Sequence, residues 1–196
     1  MNVVSLYPKL KTMRKTLVIH PKDRSTEFLK PIYEKIPDVT VCEGGITKKV
    51  LKELIQEHDR VIMLGHGCPQ GLFNVGGFLI DGRGGLIIDS TTVPFLETKK
   101  DNIYIWCNAD KFVNQFLLKG FYSGMFISEV GEAYYCGVYK PTKNMVKESN
   151  DGFSIILGNH VNKSSDEIFE SVVHEYSVLS DINPVANYNC GRLYKR

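Results

Sequence analysis

Short apolar runs alternate with stretches whose apolar positions fall three and four apart, and this alternation carries through most of the chain. Residues 16–19 (Thr-Leu-Val-Ile) read as a buried strand that ends at His20-Pro21. Ser25-Thr26-Glu27 opens a helical stretch with Phe28, Leu29, Ile32, Tyr33 and Ile36 on one face, and Pro37-Asp38 stops it. Residues 39–42 form a second strand before Gly44-Gly45. Thr47 is a good N-cap for a helix carrying Val50, Leu51, Leu54 and Ile55. Residues 60–64 form a third strand, which stops at Gly65-His66-Gly67.

Strand, helix, strand, helix, strand in so short a span implies right-handed crossovers and a parallel sheet. Beyond it, residues 77–88 read as a hairpin about the glycine-rich turn at 82–85. A short helix follows over 91–100, after Pro94. Residues 102–106 are a fourth strand stopping at Cys107, 111–118 a helix ended by Gly120, and 124–127 a fifth strand. Residues 140–152, rich in Pro, Asn, Ser and Gly, read as an exposed loop. Ser164 or Ser165 caps a last helix with Ile168, Phe169, Val172, Val173, Tyr176 and Leu179, and the tail from Ser180 is expected to wrap over the surface. The expectation is one α/β domain over residues 1–196, with a mostly parallel central sheet flanked by helices.

In open parallel sheets, ligands bind beyond the carboxyl ends of the strands. Two such ends carry reactive side chains here, His66 after the third strand and Cys107 after the fourth. If those strands are neighbours, thiol and imidazole lie close together and can share a proton, which yields a nucleophilic thiolate near neutral pH. The N–H groups of Gly67 and Cys107 are placed to hold a developing oxyanion.

The two segments Val61-Ile62-Met63-Leu64-Gly65-His66-Gly67 and Ile103-Tyr104-Ile105-Trp106-Cys107-Asn108-Ala109-Asp110, with a hairpin between them, resemble the caspase-like cysteine peptidases. That group includes clostripain-like, gingipain-like and CHAT-type members. The resemblance spans roughly residues 16–135, and residues 136–196 complete or cover that core. It implies a caspase-like sandwich and a cysteine endopeptidase working through a thioester. His66 would manage the protons, Cys107 would be the nucleophile, and the Gly67 and Cys107 amides would form the oxyanion hole. By position it also implies a specificity pocket from Asp23-Arg24, Ile105, Ser128-Glu129 and Glu132. Ile105 departs from the Gln or Asp that other members place two before the Cys. Glu129 or Glu132 would favour a basic P1 residue and Arg24 an acidic one; the expectation is basic. A Lys99-Lys100 pair before the Cys strand suggests self-cleavage by such an enzyme.

Composition narrows the field without naming a chemistry. The chain has 196 residues, with 24 basic against 22 acidic side chains, and shows no basic stripe of the kind a nucleic-acid binder carries. Five cysteines (Cys42, Cys68, Cys107, Cys136 and Cys190) are odd in number and too sparse for a disulfide scaffold. No apolar run suits a signal segment or a membrane span, so a cytoplasmic, reducing setting is expected. A zinc site at Cys68 with Cys42, His58 or His160 lacks the usual ligand spacing, and the glycine-rich turn lacks the pattern of a phosphate cradle; no metal or cofactor is expected. His20 and His174 read as structural. The expected partners are a protein or peptide substrate and a regulatory protein. Two alternatives stay open: a non-catalytic binding or regulatory module of the same fold, and an α/β small-ligand binder.

Overall fold

The computed structural model describes residues 14–75, 77–79 and 85–196. Strands β1 (Thr16–Ile19), β2 (Thr40–Cys42), β3 (Arg60–Leu64), β7 (Asn102–Ile105), β8 (Gly120–Ser123) and β9 (Leu193–Lys195) form one six-stranded sheet in the order β2-β1-β3-β7-β8-β9. The first five are parallel, and β9 closes the edge antiparallel to β8. Every residue of β1, β3, β7 and β8 is buried, as expected of strands covered on both faces.

One face of the sheet packs on α1 (Lys48–Glu57), α2 (Val93–Leu96) and α3 (Ala109–Gln115) around Leu17, Met63, Tyr104 and Trp106. The other face packs on the 3-10 helix Arg24–Ile32 and on α5 (Lys143–His160) and α6 (Ser165–Ser180) around Val18, Leu64, Ile105, Phe153 and Tyr176. The stretch opened by Ser25 is thus 3-10 rather than α, and Pro31 lies inside it. A second, three-stranded antiparallel sheet, β4 (Gly67–Cys68), β5 (Gly71–Phe73) and β6 (Leu86–Ile88), separates the His and Cys strands. Strand 86–88 of the hairpin expected over 77–88 therefore pairs with 71–73, and residues 80–84 lie outside the described residues. Among the described residues no helix is long and apolar enough to cross a membrane.

Three expectations are corrected. Residues 140–152 are not a loop: Thr142 caps α5, whose buried face includes Val146, Ser149, Asn150, Phe153, Ser154, Leu157 and Gly158. Small residues serve close packing there. A Cβ on Gly158 would come within 2.3 Å of the Pro31 carbonyl oxygen, so α5 and the 3-10 helix approach backbone to backbone only because this position is glycine. The fifth strand runs over Gly120–Ser123, and Gly120 begins it instead of merely ending a helix. The tail does not wrap over the surface; α4 (Val130–Tyr135) and α5 are followed by α6, then α7 (Pro184–Cys190), then β9, which completes the central sheet.

His20 is 2 % exposed, and its ring meets the Tyr33 hydroxyl through Nδ1 (3.0 Å) and the Thr26 hydroxyl through Nε2 (3.1 Å). Burial is the main cause that lowers its pKa to about 4. The unfolded chain takes up this proton near 6.5 while the folded chain does not, so the contribution is full above pH 6.5 and is lost as pH falls toward 4. Denaturant titrations from pH 7 to 4 are expected to show up to about 3 kcal/mol of stability lost through this residue. A His20→Gln variant is expected to flatten that slope.

Candidate functional site

The sheet order reverses direction about β1: the chain goes to β2 on one side and to β3 on the other. Such a reversal opens a crevice at the carboxyl ends of the two strands. The loop after β1 and the loop after β3 meet in it. β3 and β7 run in register, with Met63 beside Tyr104 and Leu64 beside Ile105, and the Gly65 N–H continues the pairing to the Ile105 carbonyl at 3.0 Å. His66 and Cys107 each stand two residues beyond the last paired positions of their strands. Both line one small cavity of about 20 Å³, together with Leu29, Ile105, Phe126 and Ser128. That volume holds about one water.

Gly67 is fixed by its neighbour. A Cβ there would lie 2.3 Å from the Trp106 ring and 2.6 Å from the Gly71 carbonyl oxygen. The Trp106 indole, 1 % exposed, donates from Nε1 to the Cys68 carbonyl at 3.2 Å. The residue before the cysteine thus holds the turn after the histidine against the Cys strand.

His66 Nε2 lies 2.7 Å from the Ser25 hydroxyl. The Ser25 N–H and hydroxyl both donate to Asp23 Oδ1 at 2.9 Å, and the second Asp23 oxygen lies 3.7 Å from His66 Nε2. The Ser25 N–H is the first cause that holds the Asp23 carboxyl below its usual value. With the hydroxyl proton given to Asp23, Nε2–H donates to the Ser25 oxygen, leaving Nδ1 as the unprotonated nitrogen. The tautomer follows from the network and was not legible in sequence. Asp89 is paired with Lys48 and Asp110 with Lys111, so the carboxylate that joins His66 is Asp23.

Among the described residues the hydrogen bonds of Cys107 run to the Phe126 carbonyl (3.5 Å) and to Glu132 Oε1 (3.9 Å). Burial first, then the Glu132 charge, pushes the Cys107 thiol up to about 12. Both causes stand against the thiolate expected near neutral pH. An apolar wall and a carboxylate both oppose ionisation, and the imidazole is turned to Ser25.

The other expected pocket residues divide. Ile105 and Ser128 line the cavity. Glu132 Oε2 accepts from the Ser128 N–H (2.7 Å), the Ser128 hydroxyl (2.9 Å) and the Glu129 N–H (3.1 Å), so it is tied to the start of α4 and to Cys107. Arg24 is exposed and, like Glu129, lies outside the small cavity; Asp23, expected beside it, instead joins His66 through Ser25. Phe28, Phe126 and Ser25 were not expected at the site. The Asp-x-Ser spacing was a visible signal, since it is a side-chain-to-backbone turn that opens a helix.

Lys99-Lys100 precedes β7, whereas Cys107 follows it. Roughly 13 Å of strand, at about 3.3 Å per residue, separates the two ends, so one copy does not reach its own pair. Cys42, Cys68, His58 and His160 form no common group: among the described residues no cluster of three or more His, Cys, Asp or Glu is arranged to hold a metal ion. His58 bonds the Leu54 carbonyl and the Thr40 hydroxyl, and His160 pairs with Glu175. Compared with family models, with curated proteins and with solved structures, the chain matches none.

Proposed function

We propose that the chain is a caspase-like cysteine endopeptidase whose resting thiol is protonated. The observation that carries this reading is the shared cavity of His66 and Cys107 at the carboxyl ends of adjacent parallel strands. As the Cys107 sulfur bonds to the scissile carbonyl carbon, its proton passes to His66. The oxyanion is received by the Gly67 and Cys107 N–H groups. His66 then returns the proton to the leaving amine as the C–N bond breaks, and water hydrolyses the thioester with His66 as base. Asp23 and Ser25 hold the imidazole in the tautomer that this cycle needs. In this cycle Cys107 turns from Glu132 toward His66 when substrate enters.

A peptidyl chloromethyl ketone tests the reading. It is expected to alkylate Cys107 faster than Cys42, Cys68, Cys136 and Cys190, with the excess lost in His66→Ala. Equal labelling of all five would overturn it. Glu132→Gln keeps an acceptor at the start of α4 but removes the charge facing the thiol. That variant is expected to raise the rate of iodoacetamide alkylation at pH 8 by about tenfold, the size of a one-unit fall in thiol pKa.

A second reading, a non-catalytic binding module, is favoured by the small size of the cavity and by the burial and Glu132 charge that hold the thiol neutral. It predicts slow labelling at Cys107 whatever the peptide carried by the reagent.

A further inference from the structure

Phe28 and Ser128 line not only the cavity of His66 and Cys107 but also a much larger one beside it. This second cavity, an open groove between the start of α4 and the first half of α5, has a volume of about 480 Å³. That is within the range of sites that take a small molecule or a side chain. The smaller cavity has room for about one water, so a substrate side chain next to the scissile bond needs space elsewhere.

We propose that the larger cavity is the side-chain subsite of the peptidase and that it takes a neutral carboxamide, glutamine or asparagine. The proposal rests on the reading of Cys107 as the nucleophile. Three observations select the carboxamide. First, the charges lining the cavity balance: Lys147 is paired with Asp151, and Lys143 and Glu129 add one charge of each sign. A cationic side chain meets two lysines there, and an anionic one meets two carboxylates. Second, Phe28, Val130 and Val146 give apolar surface for a short methylene stem. Third, Asn150 is 6 % exposed and donates through Nδ2 to the Ser128 carbonyl at 3.0 Å, while its Oδ1 is buried without any donor.

A buried acceptor without a partner is costly, and in this proposal a small rotation of the Asn150 amide into the cavity gives it a ligand N–H that relieves the cost. A carboxamide brings two N–H donors, for Asn150 and Glu129, and one oxygen, for the Lys143 ammonium. Arginine and lysine offer donors but no acceptor. Methionine matches the length of glutamine and offers neither. The carboxamide is proposed in place of the basic P1 residue expected from Glu129 and Glu132, because Glu132 is tied to α4 and Glu129 shares its cavity with Lys143.

The test uses Cys107→Ala protein, so that binding is read apart from hydrolysis. Pentapeptides Ac-Ala-Ala-Xaa-Ala-Ala-NH2 with Gln, Met, Arg or Glu at Xaa are titrated by calorimetry. The glutamine peptide is expected to bind about tenfold more tightly than the methionine peptide, the size of one hydrogen bond to a buried acceptor. Gly131 lines the cavity, and a Cβ added to it meets open space, so Gly131→Leu fills the cavity without a clash. That variant is expected to abolish the glutamine preference. Tighter binding of the arginine or glutamate peptide, equal or absent binding of all four, or an unchanged preference in Gly131→Leu would overturn the subsite. Fast alkylation of Cys107 with no glutamine preference would leave the peptidase reading standing and remove only the subsite. A glutamine preference with all five cysteines alkylated equally would do the reverse.

Discussion

Cys107→Ala is expected to leave the fold in place and to lower peptide turnover on the order of 10⁴-fold or more, the scale seen when a nucleophile is removed. The two effects separate because the side chain is small and its contacts are weak. It contributes sulfur hydrogen bonds of 3.5 Å and 3.9 Å to a carbonyl and a carboxylate that both have other surroundings. Losing them costs on the order of 1 kcal/mol of stability. Cys107→Ser sharpens the test. A hydroxyl keeps one donor for these acceptors and nearly the same packing, but an alcohol is a far weaker nucleophile than a thiol, and the His66 Nε2 bond goes to Ser25. The serine variant is therefore expected to be as stable as the parent and nearly as inactive as alanine. Turnover in Cys107→Ala within tenfold of the parent, measured on a fluorogenic peptide panel, would remove Cys107 as nucleophile.

The second large effect is expected at Asp23 and Ser25. Asp23→Asn keeps an oxygen to accept the Ser25 N–H, so the opening of the 3-10 helix survives. What it loses is the negative charge 3.7 Å from His66 Nε2. If the aspartate only capped the helix, kcat would barely change. If it holds the imidazolium that forms during attack, kcat falls with KM unmoved, by about ten- to hundredfold, the value of a hydrogen bond to a charged group. Ser25→Ala removes the hydroxyl between them and is expected to fall in the same range, with Ser25→Thr restoring most of it. A KM effect without a kcat effect would make both residues structural.

These expectations show which parts of the site sequence carries. β1, β3 and β7 are legible because strands buried on both faces read as unbroken apolar runs, and a reactive residue straight after such a run has one place to go. His66 and Cys107 follow from that alone. Ser25 and Asp23 do not, because capping residues look alike whether they face solvent or a histidine. α5 escapes for a different reason: half of its buried face is Ser, Asn and Gly, residue types that favour turns in isolation but here let Gly158 touch the Pro31 backbone. The position of β8 escapes because Gly120, with φ near +147°, looks like a helix stop, whereas a Cβ would lie 2.2 Å from the Asn102 carbonyl oxygen beside it. The state of the Cys107 thiol depends first on its burial and then on Glu132, set against it by the folding of α4, and no local pattern announces either.

The chain contains a single tryptophan. Trp106 is the residue whose indole N–H bonds the Cys68 carbonyl behind the histidine turn, with Tyr104 and Phe112 edge-on at 5.8 Å and 5.7 Å. Excited at the red edge of its absorption band, the protein therefore emits from one ring, directly beside the proposed nucleophile. Steady-state intensity and lifetime report, without any label, whether bound peptide alters the surroundings of that ring, and a stopped-flow trace on mixing with peptide times the change.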